Sequence, residues 1–159
     1  MKCLIFSDAH GDTWGMEAAL ARHPDASVVF FLGDGRRQAE LLLDSYPALV
    51  RIVVSGNCDV SFSLPADEEA LVDVCGLRIL AFHGHRYGVK YGIGAAVEEA
   101  EKRGADVLLF GHTHEPMTDY RAGPNGSPVW VLNPGSIRSG SYGTLEIRDG
   151  KPLFSLTSL

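Results

Sequence analysis

The run Val107-Leu108-Leu109-Phe110-Gly111-His112-Thr113-His114 passes from a continuous apolar stretch into a glycine and two histidines. Four successive apolar residues read as a short strand buried on both faces. In an extended backbone, residues two apart point the same way, so His112 and His114 are expected to face one direction beyond the strand end. Neutral imidazole is the commonest protein ligand for borderline metals, and two placed together begin a metal site. Taken alone, the pair is equally a polar turn after a strand. The rest of the chain decides between these readings.

Four other apolar runs end in the same manner. Lys2–Phe6 leads into Ser7-Asp8-Ala9-His10, Val28–Leu32 into Gly33-Asp34, Arg51–Val54 into Gly56-Asn57, and Leu77–Phe82 into His83-Gly84-His85. In open α/β sheets the ligand crevice lies outside the carboxyl ends of the strands. Five of the six histidines fall there, and His23 alone does not. Asp8, His10, Asp34, Asn57, His83, His112 and His114 form a mixed nitrogen and oxygen donor set without a thiolate. That is more than one tetrahedral ion uses, and it suits two ions of higher coordination sharing a carboxylate. Gly33, Gly56, Gly84 and Gly111 beside these residues permit tight turns and close backbone approach. His85 is open between a pocket role and a structural one.

The intervening segments supply the scaffold. Trp14, Met16, Ala18, Ala19 and Leu20 predict a helix with Asp12 or Thr13 as its cap and His23-Pro24 as its end. A second helix is expected over Arg37–Ser45. With the strands at 2–6, 27–32 and 51–54, this strand–helix alternation implies a largely parallel sheet. Residues 60–67, which include Pro65, are expected to form a loop. Cys75-Gly76 joins Ala70–Val74 to Leu77–Phe82 as a hairpin. A helix starts near Gly92 and Gly94 and stops at Gly104. Short strands at Met117–Arg121 and Val129–Leu132 follow, and Tyr142–Ile147 and Leu153–Thr157 pair around Asp149-Gly150.

At 159 residues, with 45% hydrophobic and 21% charged residues, the chain is expected to be one globular domain over residues 1–159. A formal net charge of −6 argues against stable nucleic-acid binding by general attraction, although two divalent ions would bring it to about −2. The opening apolar run is too short for a signal peptide and no stretch reaches membrane-span length. Cys3, Cys58 and Cys75 share no zinc or redox spacing. A cytoplasmic setting without membrane attachment is expected. The oligomeric state is open, with a homo-oligomer as one outcome.

The ordered set Asp8-Ala9-His10, Gly33-Asp34, Gly56-Asn57, His83 and Gly111-His112-Thr113-His114 resembles the calcineurin-like metallophosphoesterases. It is closest to their small single-domain prokaryotic phosphodiesterase branch, as Gly56-Asn57-Cys58-Asp59, His83-Gly84-His85 and Asn133-Pro134-Gly135-Ser136 also indicate. The resemblance implies a two-sheet β-sandwich flanked by helices, a four-layer αββα arrangement with the metal site at the strand C-terminal ends. It assigns Asp8, His10 and His114 to one ion and Asn57, His83 and His112 to the other, with Asp34 bridging. It thus assigns His112 and His114 to different ions. The implied cofactors are two divalent ions, manganese foremost, with iron, zinc or nickel as alternatives.

The implied activity is hydrolysis of a phosphodiester P–O bond by a metal-bridging hydroxide, with Asp34, Asn57 and His85 as candidate catalytic residues. The alternatives are a phosphomonoesterase on the same site and a non-catalytic scaffold of the same fold. Cys58 stands where much of the wider superfamily has a leaving-group histidine. A preference for good leaving groups, such as those of small aryl phosphodiesters, is therefore expected. Arg36 and Arg138 are candidate phosphate contacts or solvated surface charges. Asp59 is expected to hold the Gly56–Asp59 turn.

Overall fold

The computed structural model describes residues 1–59 and 67–159. All of the expected 60–67 loop except Asp67 lies outside the described residues. The first sheet contains β1 (Lys2–Phe6), β2 (Val28–Phe31), β3 (Val50–Val53), β9 (Ser141–Arg148) and β10 (Lys151–Ser158), in the order β10-β9-β1-β2-β3. The second contains β4 (Glu69–Val74), β5 (Leu77–Phe82), β6 (Val107–Leu109), β7 (Met117–Ala122) and β8 (Pro128–Asn133), in the order β4-β5-β6-β8-β7. Among the described residues three α-helices flank them: α1 (Trp14–Arg22), α2 (Arg36–Leu43) and α3 (Gly94–Lys102).

The period-2 alternation of the strands sorts the apolar residues into layers. Cys3, Ile5, Val28, Phe30 and Leu32 of the first sheet meet Leu77, Ile79, Ala81, Val107 and Leu109 of the second, forming the layer between sheets. The alternate residues Leu4, Phe6, Val29 and Phe31 point the other way, onto Met16, Ala19 and Leu20 of α1 and Ala39 and Leu43 of α2. Leu80, Phe82, Leu108 and Val131 pack against Ala96, Val97 and Ala100 of α3. Residues of β1, β2 and β6 are therefore apolar at nearly every position, since both faces of those strands are covered. Each large side chain so buried is worth about 1.5–3 kcal/mol against exposure.

The parallel alternation of the first half holds only in part. β1, β2 and β3 are parallel, but β9 and β10 complete their sheet antiparallel. In the second sheet β5, β6 and β8 are parallel, with β4 and β7 antiparallel at the edges. Both sheets are thus mixed. The last two strands return to the first sheet, a pairing of residues far apart in the chain that local periodicity does not encode.

Two hairpins close with two-residue turns, the first as expected and the second tighter than the expected strand ends at Ile147 and Leu153. Val74 pairs with Leu77 across Cys75-Gly76, whose φ values are 48° and 84°. Arg148 pairs with Lys151 across Asp149-Gly150, at 51° and 70°. Both have the two positive φ angles of a type I′ turn. Thr13 is the cap position of α1 but makes no side-chain cap bond; Asp12 Oδ1 instead accepts from the Trp14 N–H at 3.1 Å. Among the described residues no helix is long and apolar enough to cross a membrane.

Candidate metal centre

The loops leaving β1, β2, β5 and β6 converge, and their polar side chains form two trios. Asp8, His10 and His114 place one donor atom each within 4.8 Å of one another, and so do Asp34, His83 and His112. In the first trio, His114 Nε2 lies 3.1 Å from Asp8 Oδ1 and 3.3 Å from His10 Nε2. In the second, His83 Nε2 lies 3.4 Å from Asp34 Oδ2 and 3.2 Å from His112 Nδ1. The trios adjoin, since Asp8 Oδ1 is 3.9 Å from His83 Nε2. Asp34 also groups with His10 and Cys58, so its carboxylate borders both.

His112 and His114 do not face one direction by strand alternation. Both residues are left-handed, with φ of 69° and 62°, and the Thr113 N–H donates to the Gly111 carbonyl at 2.8 Å. The chain has left extended geometry at Gly111, so the period of two no longer applies. The result is one imidazole in each trio.

Surrounding groups hold the donors in place. His83 Nδ1 bonds the Leu32 carbonyl at 2.7 Å, which fixes the ring and leaves Nε2 facing Asp34. Asp8 Oδ2 accepts from Ser7 Oγ at 2.5 Å and from the His112 N–H at 3.0 Å. Asp8 Oδ1 is buried without a hydrogen-bond partner. A buried carboxylate oxygen left bare among imidazole nitrogens is costly unless a cation completes it. The donor set therefore fits divalent ions that take nitrogen and oxygen ligands.

The charges are arranged accordingly. Burial works against ionised Asp34, but hydrogen bonds from His83 and the Cys58 N–H outweigh it and hold its carboxyl well below the usual range. Burial likewise opposes charge on His83, yet its bond to Asp34 and the field of Asp8 raise its pKa. Burial and the neighbouring His83 push His112 down to about 4. Divalent ions would add positive charge between the carboxylates and displace the proton from His83.

The remaining candidates take distinct positions. Asn57 is exposed, and its Nδ2 donates to Cys58 Sγ at 3.4 Å. Cys58 is exposed at the edge of the cluster, with its thiol pKa raised by partial burial and by Asp34. The His85 ring lies 5.5 Å from that of His83 and belongs to neither trio, and its Nδ1 is buried and unpartnered. Burial and the charge of His83 lower its pKa. Arg36 is engaged by Glu40 at 2.9 Å and by Ser55 Oγ at 3.1 Å, so its guanidinium is tied to the scaffold. Arg138 is exposed just after Ile137.

Asp59 does more than hold its own turn. Its carboxylate accepts the N–H groups of Asp34, Gly35 and Arg36 at 2.7–2.9 Å and that of Gly56 at 2.9 Å, pinning two ligand-bearing loops together. Ser136 Oγ donates to the Asp8 carbonyl at 2.8 Å, and Asn133 Nδ2 to the Gly111 carbonyl at 3.1 Å. The sequence signals Asn133–Ser136 as a turn and as part of the family resemblance, and its bracing of two distant loops is a tertiary fact. The close approach is steric as well. A Cβ on Gly56 would lie 2.1 Å from Asp34 Oδ1, and one on Gly111 would lie 1.9 Å from Ser7 Oγ.

Comparison with known proteins adds a second line of support. Residues 1–150 match the calcineurin-like phosphoesterase superfamily domain. A probable metallophosphoesterase, YsnB of Bacillus subtilis (strain 168), is 34% identical over 140 residues, covering 87% of this chain and 76% of that protein. The phosphodiesterase YfcE of Escherichia coli (strain K12) is 29% identical, covering 92% and 88% of the two chains. A conserved Streptococcus pneumoniae TIGR4 protein, described as a predicted phosphoesterase, superposes with a TM-score of 0.79 at 25% identity over 99% of this chain and 88% of that one. The zinc complex of Vps29 from Entamoeba histolytica superposes at 0.73 and 20% identity over 99% of each chain, a likeness of fold alone.

Proposed function

The chain belongs to the calcineurin-like phosphoesterase superfamily, and from that premise we propose that it is a dinuclear metal-dependent phosphodiesterase acting on small phosphoesters. The observation that carries this reading is the pair of adjoining donor trios with a carboxylate at their border. Asp8, His10 and His114 would hold one ion, Asn57, His83 and His112 the other, and Asp34 would bridge them. When bound, such a pair supplies Lewis acidity, making a nucleophile from water at neutral pH and offsetting phosphoryl charge. The name of the YfcE relative favours diesters over monoesters.

The chain's own groups set the rest. Leu32 holds His83 with Nε2 toward Asp34, and Asp59 keeps the Asp34 and Gly56 loops in register. Ser7 and the His112 N–H occupy one oxygen of Asp8, leaving the other for a ligand. Cys58 takes the position that the resemblance gives to a leaving-group histidine, and His85 lies beside His83. With Cys58 there, the preference for aryl leaving groups is kept as part of this proposal.

The test is hydrolysis of bis(4-nitrophenyl) phosphate with and without manganese, beside His114→Ala and a metal count on the purified protein. Two ions per chain and turnover reduced by about three orders of magnitude in the variant are expected. Two bound ions with no turnover of this diester or of 4-nitrophenyl phosphate would sink the enzymatic reading and favour a scaffold. Faster turnover of the monoester would reassign the substrate.

A further inference from the structure

The two donor trios do not exhaust the cluster. A third grouping overlaps both: His10, Asp34 and Cys58 each place one donor atom within 4.8 Å of the other two. Among the described residues it is the one such grouping that contains a thiol. The Gly56–Asp59 turn thereby brings sulfur to a centre whose other donors are nitrogen and oxygen.

Backbone bonds fix this placement. The His10 N–H donates to the Asp34 carbonyl at 2.8 Å, and the Cys58 N–H to Asp34 Oδ1 at 2.8 Å. Asp59 Oδ2 accepts from the N–H groups of Asp34 and Gly56 at 2.7 and 2.9 Å, so the loops after β2 and β3 hold one register. Asn57 Nδ2 stands 3.4 Å from Cys58 Sγ as a donor, and an ionised sulfur accepts such a bond more strongly than a thiol. An independent feature points to an ion beside His10. Asp8 Oδ1, buried and without a hydrogen-bond partner, lies 3.8 Å from His10 Nε2.

Softness decides which ions would use the sulfur. Manganese suits carboxylate, carbonyl and water, whereas zinc, and cobalt as its spectroscopic substitute, also take thiolate. We propose that Cys58 is a metal ligand held in reserve: its sulfur joins His10 and Asp34 on a zinc-like ion and stays off manganese, so this residue sets which metal the centre prefers. The thiol proton passes to solvent when the sulfur–metal bond forms. A sulfur so bound carries no proton, and Cys58 is then no donor to a leaving group. This inference rests on the metal-centre reading and adds metal selectivity to it.

Cobalt(II) reports the ligand directly, since thiolate coordination adds a near-ultraviolet charge-transfer band that nitrogen and oxygen ligands do not give. The metal-free protein is titrated with cobalt(II) beside Cys58→Ser and Cys75→Ser, Cys75 being the other exposed cysteine. The band is expected in the parent and in Cys75→Ser, and is expected to be absent from Cys58→Ser, which should still bind cobalt by metal count and so be folded. In competition titrations the zinc-over-manganese preference of Cys58→Ser should fall by about tenfold or more, because even outer partners of a ligand are worth that much. A measurement that needs no variant is alkylation by iodoacetamide followed by peptide mapping: zinc should protect Cys58 and manganese should not. Cobalt bound without the band, a band that persists in Cys58→Ser, an unchanged zinc preference, or equal alkylation of the zinc and manganese forms overturns the proposal and leaves the metal centre standing. A parent protein that binds none of the three metals overturns both.

Discussion

The two ends of the sandwich hold the same unusual backbone conformation for different reasons. At one end, Cys75 and Asp149 have φ of 48° and 51°, each followed by glycine in a two-residue hairpin turn. There the turn type demands the conformation and the adjacent strands enforce it locally. At the other end Asp8, His10, Asp34, His112 and His114 lie at φ of 48–69° outside any hairpin. Five non-glycine residues in that region, all donors of the candidate centre, represent strain of about 1–2 kcal/mol each. It is balanced by long-range bonds such as those from Ser136 to Asp8 and from Asp59 to the Asp34 loop. One end is shaped by local rules, and the other is forced by tertiary contacts toward the geometry a ligand needs.

Glycine replacement should separate the two ends most clearly. Gly56→Ala would drive a methyl into Asp34 Oδ1, whereas Gly76→Ala meets nothing within 4 Å and suffers only from its φ of 84°. Denaturant melts should show a loss of about 3 kcal/mol for the first and about 1 kcal/mol for the second. Only the first should also weaken manganese binding, by about 10–100-fold. Equal losses, or unchanged metal affinity in Gly56→Ala, would break the contrast.

A smaller effect is expected from relieving the strain itself. In chelator, both His10→Gly and Cys75→Gly should gain about 1 kcal/mol, or roughly 2–4 °C in melting temperature. The cost differs: His10→Gly should lose metal binding, while Cys75→Gly should retain it. If His10→Gly melts below the parent in chelator, the strand-end loops are not strained in the absence of metal.

The smallest effect concerns His23, the one histidine outside the strand-end group. It sits at the C-terminal end of α1 with Nε2 3.1 Å from the Tyr142 hydroxyl. Burial, and secondarily Lys2, lower its pKa from 6.5. The unfolded chain therefore binds the proton more readily, so the stability this group contributes is present above pH 6.5 and is lost as pH falls below it. Melting temperatures in chelator between pH 7.5 and 5.5 should fall less steeply in His23→Gln. An identical slope would exclude this group as a source of acid sensitivity.

How much of this was legible in the chain order follows the same division. Hairpin turns, helices and doubly buried strands are local patterns, and their periods and turn residues match the structure closely. The mixed sheets are not local, because β9 reaches β1 only after more than a hundred residues. The role of Asp59 was half legible: an Asx residue in a turn is a sequence signal, but its bonds to Asp34, Gly35 and Arg36 require two loops to meet.

The sequence by itself determined which strand ends carry donors, and Asp8, His10, Asp34, His83, His112 and His114 do lie together, whereas His85, delivered to the same edge, belongs to neither trio. The order of motifs also carried the family resemblance and its division of His112 and His114 between two ions. Only the tertiary structure decided how that division is built. Left-handed turns at His112 and His114 put one imidazole in each trio, while those at Asp8 and His10 keep both donors in the same one. Alternation along a strand is a property of extended backbone, and it ends where the strand does.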